Sequence, residues 1–210
     1  MSRAPSLCGV ILAAGDSTRM GTDKAMLPWP PGAARAGGTF LSAQIHSLSL
    51  FTELVIVVAG NNAAAITPVV YAEGASLVVN PDPSRGQFSS LQVGLHEVLN
   101  RGRDAAMVTL VDRPPVGNAT IQMLSDAFAG AIANWKWAAV PQYQGKHGHP
   151  ILLAREMIEA FLRAAATATA RDVEHQNAEH IEYVPVDDPL VIANINTPDE
   201  YASLNSGSTG

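Results

Sequence analysis

Cysteine is almost missing from this chain: one residue, Cys8, in 210. No internal disulfide can form, so the fold rests on packing alone and suits a reducing compartment. Cys8 opens an apolar run and has no His or Asp partner nearby in sequence, so it reads as a small core residue rather than a nucleophile. Long apolar runs are missing too. None reaches the length that crosses a bilayer, and the opening residues MSRAPSLCGV lack the apolar centre and cleavage site of a secretory signal. The expected location is the cytoplasm, with no membrane partner. Positive charge is scarce: 13 Lys and Arg stand against 19 Asp and Glu, a formal net charge of −6. That balance argues against nucleic acid as a partner.

What is present describes a compact α/β protein, with 47% hydrophobic and 15% charged residues. The length suits one domain, placed at residues 1–204, with a Ser/Gly-rich tail at 205–210 expected to be disordered. Strands are expected at Val10–Leu12, Leu54–Val58, Ser76–Val79, Ala106–Leu110, Ala138–Val140, Ile181–Val186 and Val191–Ile192. These runs are apolar almost throughout rather than alternating, which marks strands covered on both faces and hence a mainly parallel sheet. Thr39–Leu50, Ser90–Asn100, Ala119–Ile132, Glu156–Ala168 and a stretch from Arg171 carry apolar residues at helical spacing. The fold class is α/β, a three-layer α/β/α sandwich on a Rossmann-like sheet. Pro28–Gly38 is too rich in Pro and Gly for regular structure and is expected to be a mobile loop.

Residues 9–24, GVILAAGDSTRMGTDK, carry the strongest chemical signal. An apolar strand ending in Ala13-Ala14-Gly15 exposes several backbone N–H groups at one point, the arrangement that cradles phosphate oxygens. Arg19 adds a planar fork and Lys24 a point charge. The letters fit neither G-x-G-x-x-G nor G-x-x-x-x-G-K-(S/T). They resemble the L-A-(A/G)-G-x-(S/T)-x-R-M-G-x-x-K signature of sugar-phosphate and cofactor nucleotidyltransferases, above all the MobA-like group that attaches CMP or GMP to molybdopterin. Leu12, Ala13, Ala14, Gly15, Ser17, Arg19, Met20, Gly21 and Lys24 match in register. The resemblance implies a GT-A-like nucleotidyltransferase sheet, with Leu12, Ala13, Ala14, Gly15, Arg19 and Lys24 against the nucleotide.

Asp112 follows an apolar strand and precedes Arg113-Pro114-Pro115. A carboxylate at the carboxyl end of a central strand lies in the crevice where open α/β sheets bind ligands, and Mg²⁺ takes one or two such carboxylates plus phosphate oxygens. The segment resembles the family's L-x-D-x-P, whose aspartate holds the metal. Asn194-Ile195-Asn196-Thr197-Pro198 is similar to the family's N-(I/V)-N-T-P, with both asparagines on one face. Asn196 is the expected metal-facing residue, with Asn194 beside it. Many cytidylyl-transferring relatives have aspartate here, so the chain departs from that pattern. Thr197 can in addition cap a helix beginning at Pro198.

Gly86-Gln87-Phe88-Ser89-Ser90-Leu91, after Asn80-Pro81, joins a turn to a helix. The resemblance places Asn80, Ser89 and Ser90 against the nucleotide base. G-x-x-S-S-L and the A-A-G turn are closer to the cytidylyl than the guanylyl branch, favouring CTP over GTP. Gly148-His149-Pro150 resembles the G-H-P segment of the acceptor pocket, which gives His149 an acceptor-orienting role, while Lys146 or Arg171 could meet an acceptor phosphate. His147 and His149 lack the further ligands of a zinc site. The implied reaction moves a nucleoside monophosphate from a triphosphate to a molybdopterin-type acceptor, with Mg²⁺, and catalysis rests on Arg19, Lys24 and Asp112. A molybdoenzyme or chaperone is the implied protein partner. Two alternatives stay open: a sugar-phosphate or alditol-phosphate nucleotidyltransferase, and a homologue that binds nucleotide without turnover.

Overall fold

The structure, a computed structural model, describes residues 6–15, 22–31 and 38–204. Along the chain it runs β1 (Leu7–Leu12), α1 (Phe40–Ser49), β2 (Leu54–Ala59), α2 (Ala63–Ala72), β3 (Ser76–Val79), α3 (Gln87–Asn100) and β4 (Ala105–Leu110). It continues through α4 (Asn118–Ala133), β5 (Ala138–Tyr143), β6 (Lys146–His147), β7 (Ile151–Ala154), α5 (Arg155–Arg163), α6 (Ala170–Gln176), β8 (Ile181–Pro185) and α7 (Pro198–Ser203). The sheet order is β3-β2-β1-β4-β7-β5-β6, with β8 on β5. The first four strands in space are parallel, and β7 lies antiparallel between β4 and β5.

Each strand divides its side chains between two apolar layers because successive Cβ atoms point to opposite faces. Ile11, Val57 and Met107 join Leu41, Ile45, Ile66 and Leu124 from α1, α2 and α4 on one side. Val10, Ile56 and Val108 join Leu95, Ile158 and Phe161 from α3 and α5 on the other. This is the expected three-layer arrangement. Thr39 and Ser42 form a reciprocal cap at the start of α1, as Thr197 and Glu200 do at α7, where Pro198 takes the first helical position.

Structure and expectation part at several elements: α2 forms where the pattern did not single out a helix, and the helix expected over Glu156–Ala168 ends at Arg163. Val191–Ile192 belongs to a short 3-10 turn, Pro189–Ile192, because Asp188 accepts from the Leu190 amide and Pro189 cannot donate to a ladder. Ile151–Ala154 is a central strand although the sequence pattern did not single it out. Of Pro28–Gly38, residues 32–37 lie outside the described residues, as does the tail 205–210. Pro28 bridges Thr39, and Trp29 packs edge-on against Phe40 at 5.0 Å.

The carboxyl ends of β1, β2 and β4 share one edge of the sheet, so Ala13–Gly15, Gly60–Asn62 and Asp112 emerge together. Since β7 runs the other way, its start also lies there, with Val108 opposite Ile151. Gly148-His149-Pro150 is thereby delivered to the Asp112 edge. Gly148 packs so tightly against the 3-10 turn that a Cβ would stand 2.3 Å from the Val191 carbonyl oxygen. Gly148→Ala is therefore expected to destabilise the fold by about 2 kcal/mol, read by urea denaturation.

Candidate functional site

Four segments converge at this edge. The Lys24 ammonium donates to Asn196 Oδ1 at 2.9 Å and lies 3.7 Å from Asp112 Oδ2. Both side chains are largely covered, 13% exposed for Lys24 and 27% for Asp112. Lys24 is held in place by the 3-10 turn Lys24–Met26, which Asp23 caps by accepting from the Ala25 amide. The expected meeting of Lys24, Asp112 and Asn196 is thus present. Arg19, with Ser17, Met20 and Gly21, lies outside the described residues.

Asp112 and Asn196 come from segments 84 residues apart and are tied through backbone, the Ile195 amide donating to the Asp112 carbonyl at 2.7 Å. Ile195 is buried and Asn194 exposed, the alternation read from the sequence. Arg113 strengthens the tie by donating to the carbonyls of Val191 and Ala193 at 3.3 Å each. Burial holds its guanidinium below the usual range, an effect the adjacent Asp112 carboxylate opposes. Gln44 clamps the other side. Its Nε2 donates to the carbonyls of Leu110, at 2.9 Å, and Arg113, gripping the turn on both sides of Asp112.

Sequence reading missed Gln44 and Arg113. For Gln44 a signal existed: it sits on the buried stripe of α1 with Leu41, Ile45 and Leu48, and a polar residue there needs a buried partner. For Arg113 the neighbouring aspartate drew the attention, and its partners lie about 80 residues away.

Could these residues hold a cation? Asp112 Oδ1 is buried with no hydrogen-bond partner among the described residues. An orphaned carboxylate oxygen near a carboxamide oxygen is a hard donor set of the kind Mg²⁺ takes together with phosphates. The residues therefore fit the metal. No group of three or more His, Cys, Asp or Glu side chains among the described residues is arranged to hold a metal ion, so a cation here would rely on Asp112, neutral oxygens and its substrate.

The remaining expected site residues fall in two groups. Asn80, Ser89 and Ser90 come together but are buried, Asn80 Nδ2 donating to Ser89 Oγ at 2.9 Å and Ser90 Oγ at 3.0 Å. The Asp82 amide donates to Asn80 Oδ1, and the Asn80 amide to the Ala59 carbonyl. The three side chains lock the start of α3 to the end of β3. Arg171 is exposed on α6, and among the described residues nothing links it to Lys24, Asp112 or Asn196. Lys146 and His147 lie exposed in β6, with the His147 ring stacked on Tyr183 at 4.3 Å.

His149 stands close to the Asp112 turn, its amide donating to the Val191 carbonyl. Its Nδ1 is buried and unpartnered among the described residues. Burial, aided by the Arg113 charge, pushes its pKa from 6.5 down to about 3. The ring is thus neutral at physiological pH. Because the unfolded state binds the proton first, stability is expected to hold above pH 6.5 and to decline as pH falls toward 3. Denaturation across that range should show a shallower decline in His149→Phe. Cys8, the lone thiol, is buried, and burial raises its pKa to about 12, as suits an inert core residue.

The relatives of this chain place it in a class of enzymes that work on nucleoside triphosphates, the nucleotidyltransferases. The MobA-like NTP transferase domain model matches residues 9–181, and the chain belongs to that family. A probable molybdenum cofactor guanylyltransferase of Rhodopirellula baltica is 36% identical over 110 residues, covering 52% of this chain and 50% of that protein. The molybdenum cofactor cytidylyltransferase of Escherichia coli is 27% identical over 206 residues, covering 95% and 96%. Among solved structures, Rv0371c of Mycobacterium tuberculosis superposes with a TM-score of 0.78 at 27% identity over 96% of this chain and 98% of that one. The same protein in complex with manganese gives 0.73 at 25% identity, covering 96% and 99%. No helix among the described residues is long and apolar enough to cross a membrane.

Proposed function

We propose that this chain transfers CMP from CTP to the terminal phosphate of molybdopterin, with Mg²⁺, releasing pyrophosphate. The observation that carries the reading is the Lys24 ammonium held between Asp112 and Asn196 at the carboxyl edge of the sheet, beside the amide-lined Ala13–Gly15 turn. An acceptor phosphate oxygen attacks the α-phosphorus, a new P–O bond forms, and the bond to the β-phosphate breaks. No side-chain nucleophile takes part. The protein's contribution is alignment and charge cancellation. The Ala14 and Gly15 amides and Arg19 grip the triphosphate, and Lys24 neutralises charge that grows on the leaving group. Asp112 and Asn196 would hold the cation, which when bound supplies a Lewis acid to the phosphate oxygens. Support for a divalent ion comes from the unpartnered Asp112 oxygen and from the manganese complex of Rv0371c. Preference for CTP rests on the A-A-G turn and the G-x-x-S-S-L start of α3.

The test is pyrophosphate release from each of the four nucleoside triphosphates, with molybdopterin and with several sugar phosphates as acceptors. The expected result is fast release with CTP, Mg²⁺ and molybdopterin, and little with the sugar phosphates. Faster turnover of GTP overturns the base assignment. Turnover only with a sugar phosphate overturns the acceptor. One observation favours a second reading, a nucleotide-binding homologue without turnover: Asn196 is neutral and already engaged by Lys24. Thermal stabilisation by CTP with no pyrophosphate from any pair would establish it.

A further inference from the structure

We infer that Asn62 is a positioning residue for the triphosphate grip, clasping the two flanks of the phosphate-binding segment with one carboxamide. Asn62 takes the N-cap position of α2, where an asparagine ordinarily accepts from its own helix. Here it makes no such bond, and its backbone, at φ −85° and ψ 4°, is not in the extended form of a capping residue. Its side chain is used elsewhere. Nδ2 donates to the Ala13 carbonyl at 2.9 Å and to Asp23 Oδ2 at 2.7 Å, while Oδ1 accepts from the Gly60 amide at 3.1 Å. Forgoing a local preference in favour of a distant contact marks a group kept for something other than helix stability.

The two partners give the clasp its meaning. Ala13 lies in the amide-lined turn, and Asp23 immediately precedes Lys24. The other oxygen of Asp23, Oδ1, accepts from the Ala25 amide and caps the turn Lys24–Met26. A continuous line of bonds therefore runs from Ala13 through Asn62 and Asp23 to the backbone that carries Lys24, whose ammonium reaches Asn196 and Asp112. The β2–α2 turn also sits hard against the grip: a Cβ on Gly60 would lie 2.7 Å from the Ala14 carbonyl oxygen, and the Ala13 amide donates to the Val58 carbonyl. Asn62 thus sets the spacing between the amides and the ammonium that both address the triphosphate, a separation that neither flank fixes alone.

This inference rests on the nucleotidyltransferase reading. Its test is direct titration calorimetry of the full chain with Mg·CTP in the absence of acceptor, alongside steady-state kinetics. Asn62→Ser keeps a residue type favoured at the start of α2 and removes the clasp. The expected result is a melting temperature lowered by a few degrees, a Kd for Mg·CTP raised about tenfold, and an unchanged KM for acceptor, as loss of the bonds to Ala13 and Asp23 predicts. Asn62→Asp sets a carboxylate against Asp23 and should weaken binding further. Adding Asp23→Asn exchanges donor and acceptor across that pair and should recover part of the affinity, a rescue that a purely structural role would not produce. Wild-type protein that binds Mg·CTP, with Asn62→Ser binding it equally well, overturns this inference alone. So does the absence of rescue when the double variant is folded. Wild-type protein that binds no nucleoside triphosphate overturns both this inference and the reading beneath it.

Discussion

Lys24→Ala is expected to lower kcat about a thousandfold while raising the affinity of the site for a divalent cation. The two effects have one origin. The ammonium stands 3.7 Å from Asp112 and donates to Asn196, so it is a positive charge these oxygens meet in the protein itself. Removing it strips the leaving group of a fixed cation, and deleting a single preorganised charge or donor of this kind costs about 10²–10³ in kcat. It also frees both oxygens for a metal. Stability should fall by about 1–3 kcal/mol, because the pair is largely covered and the variant leaves the Asp112 and Asn196 oxygens without their donor. Single-turnover rates paired with Mn²⁺ titration by water-proton relaxation give the readout. A variant whose turnover and Mn²⁺ affinity fall together would show that Lys24 is part of the scaffold. Lys24→Arg should restore little, because a planar fork does not replace a compact ammonium at this position.

Asp112→Asn is expected to reduce kcat/KM by about 10³-fold, with metal binding abolished rather than weakened. The change conserves size and removes one charge, and no cluster of acidic groups among the described residues can substitute for it. Its backbone role survives, since the Ile195 amide donates to the Asp112 carbonyl and Gln44 holds the flanking carbonyls of Leu110 and Arg113. A melting temperature within a few degrees of wild type, together with loss of Mn²⁺ binding, is the expected pair of results. Wild-type turnover would show that the cation is held elsewhere. Gain of metal affinity by Asn196→Asp, the residue type common in cytidylyl-transferring relatives, would complement it.

Much of this molecule is legible from its amino acids because the informative features are local. Unbroken apolar runs announce strands buried on both faces, and β1, β2 and β4 appear where Val10–Leu12, Leu54–Val58 and Ala106–Leu110 placed them. The cap at Thr197 is equally local, since its partner Glu200 is three residues away. Ile151–Ala154 shows the opposite case. Four apolar residues after His149-Pro150 suit a strand or the start of a helix, and nothing within them says which neighbour they join or in which direction.

From its letters alone the chain set most of the element types, the small-residue turn, and the chemical kinds of group gathered at the carboxyl edge of the sheet, because these depend on side-chain shape and spacing over a few residues. Pairing and direction were left to the tertiary structure. The reversed course of β7 brings His149 to the Asp112 edge, and the Ile195–Asp112 bond brings Asn196 to Lys24. Gln44, Asn62 and Arg113 take their roles from carbonyls and carboxylates tens of residues away. Their bonds exist only after hydrophobic burial has stacked the helices on the sheet. A buried polar group must then find a partner among whatever that packing has brought within reach.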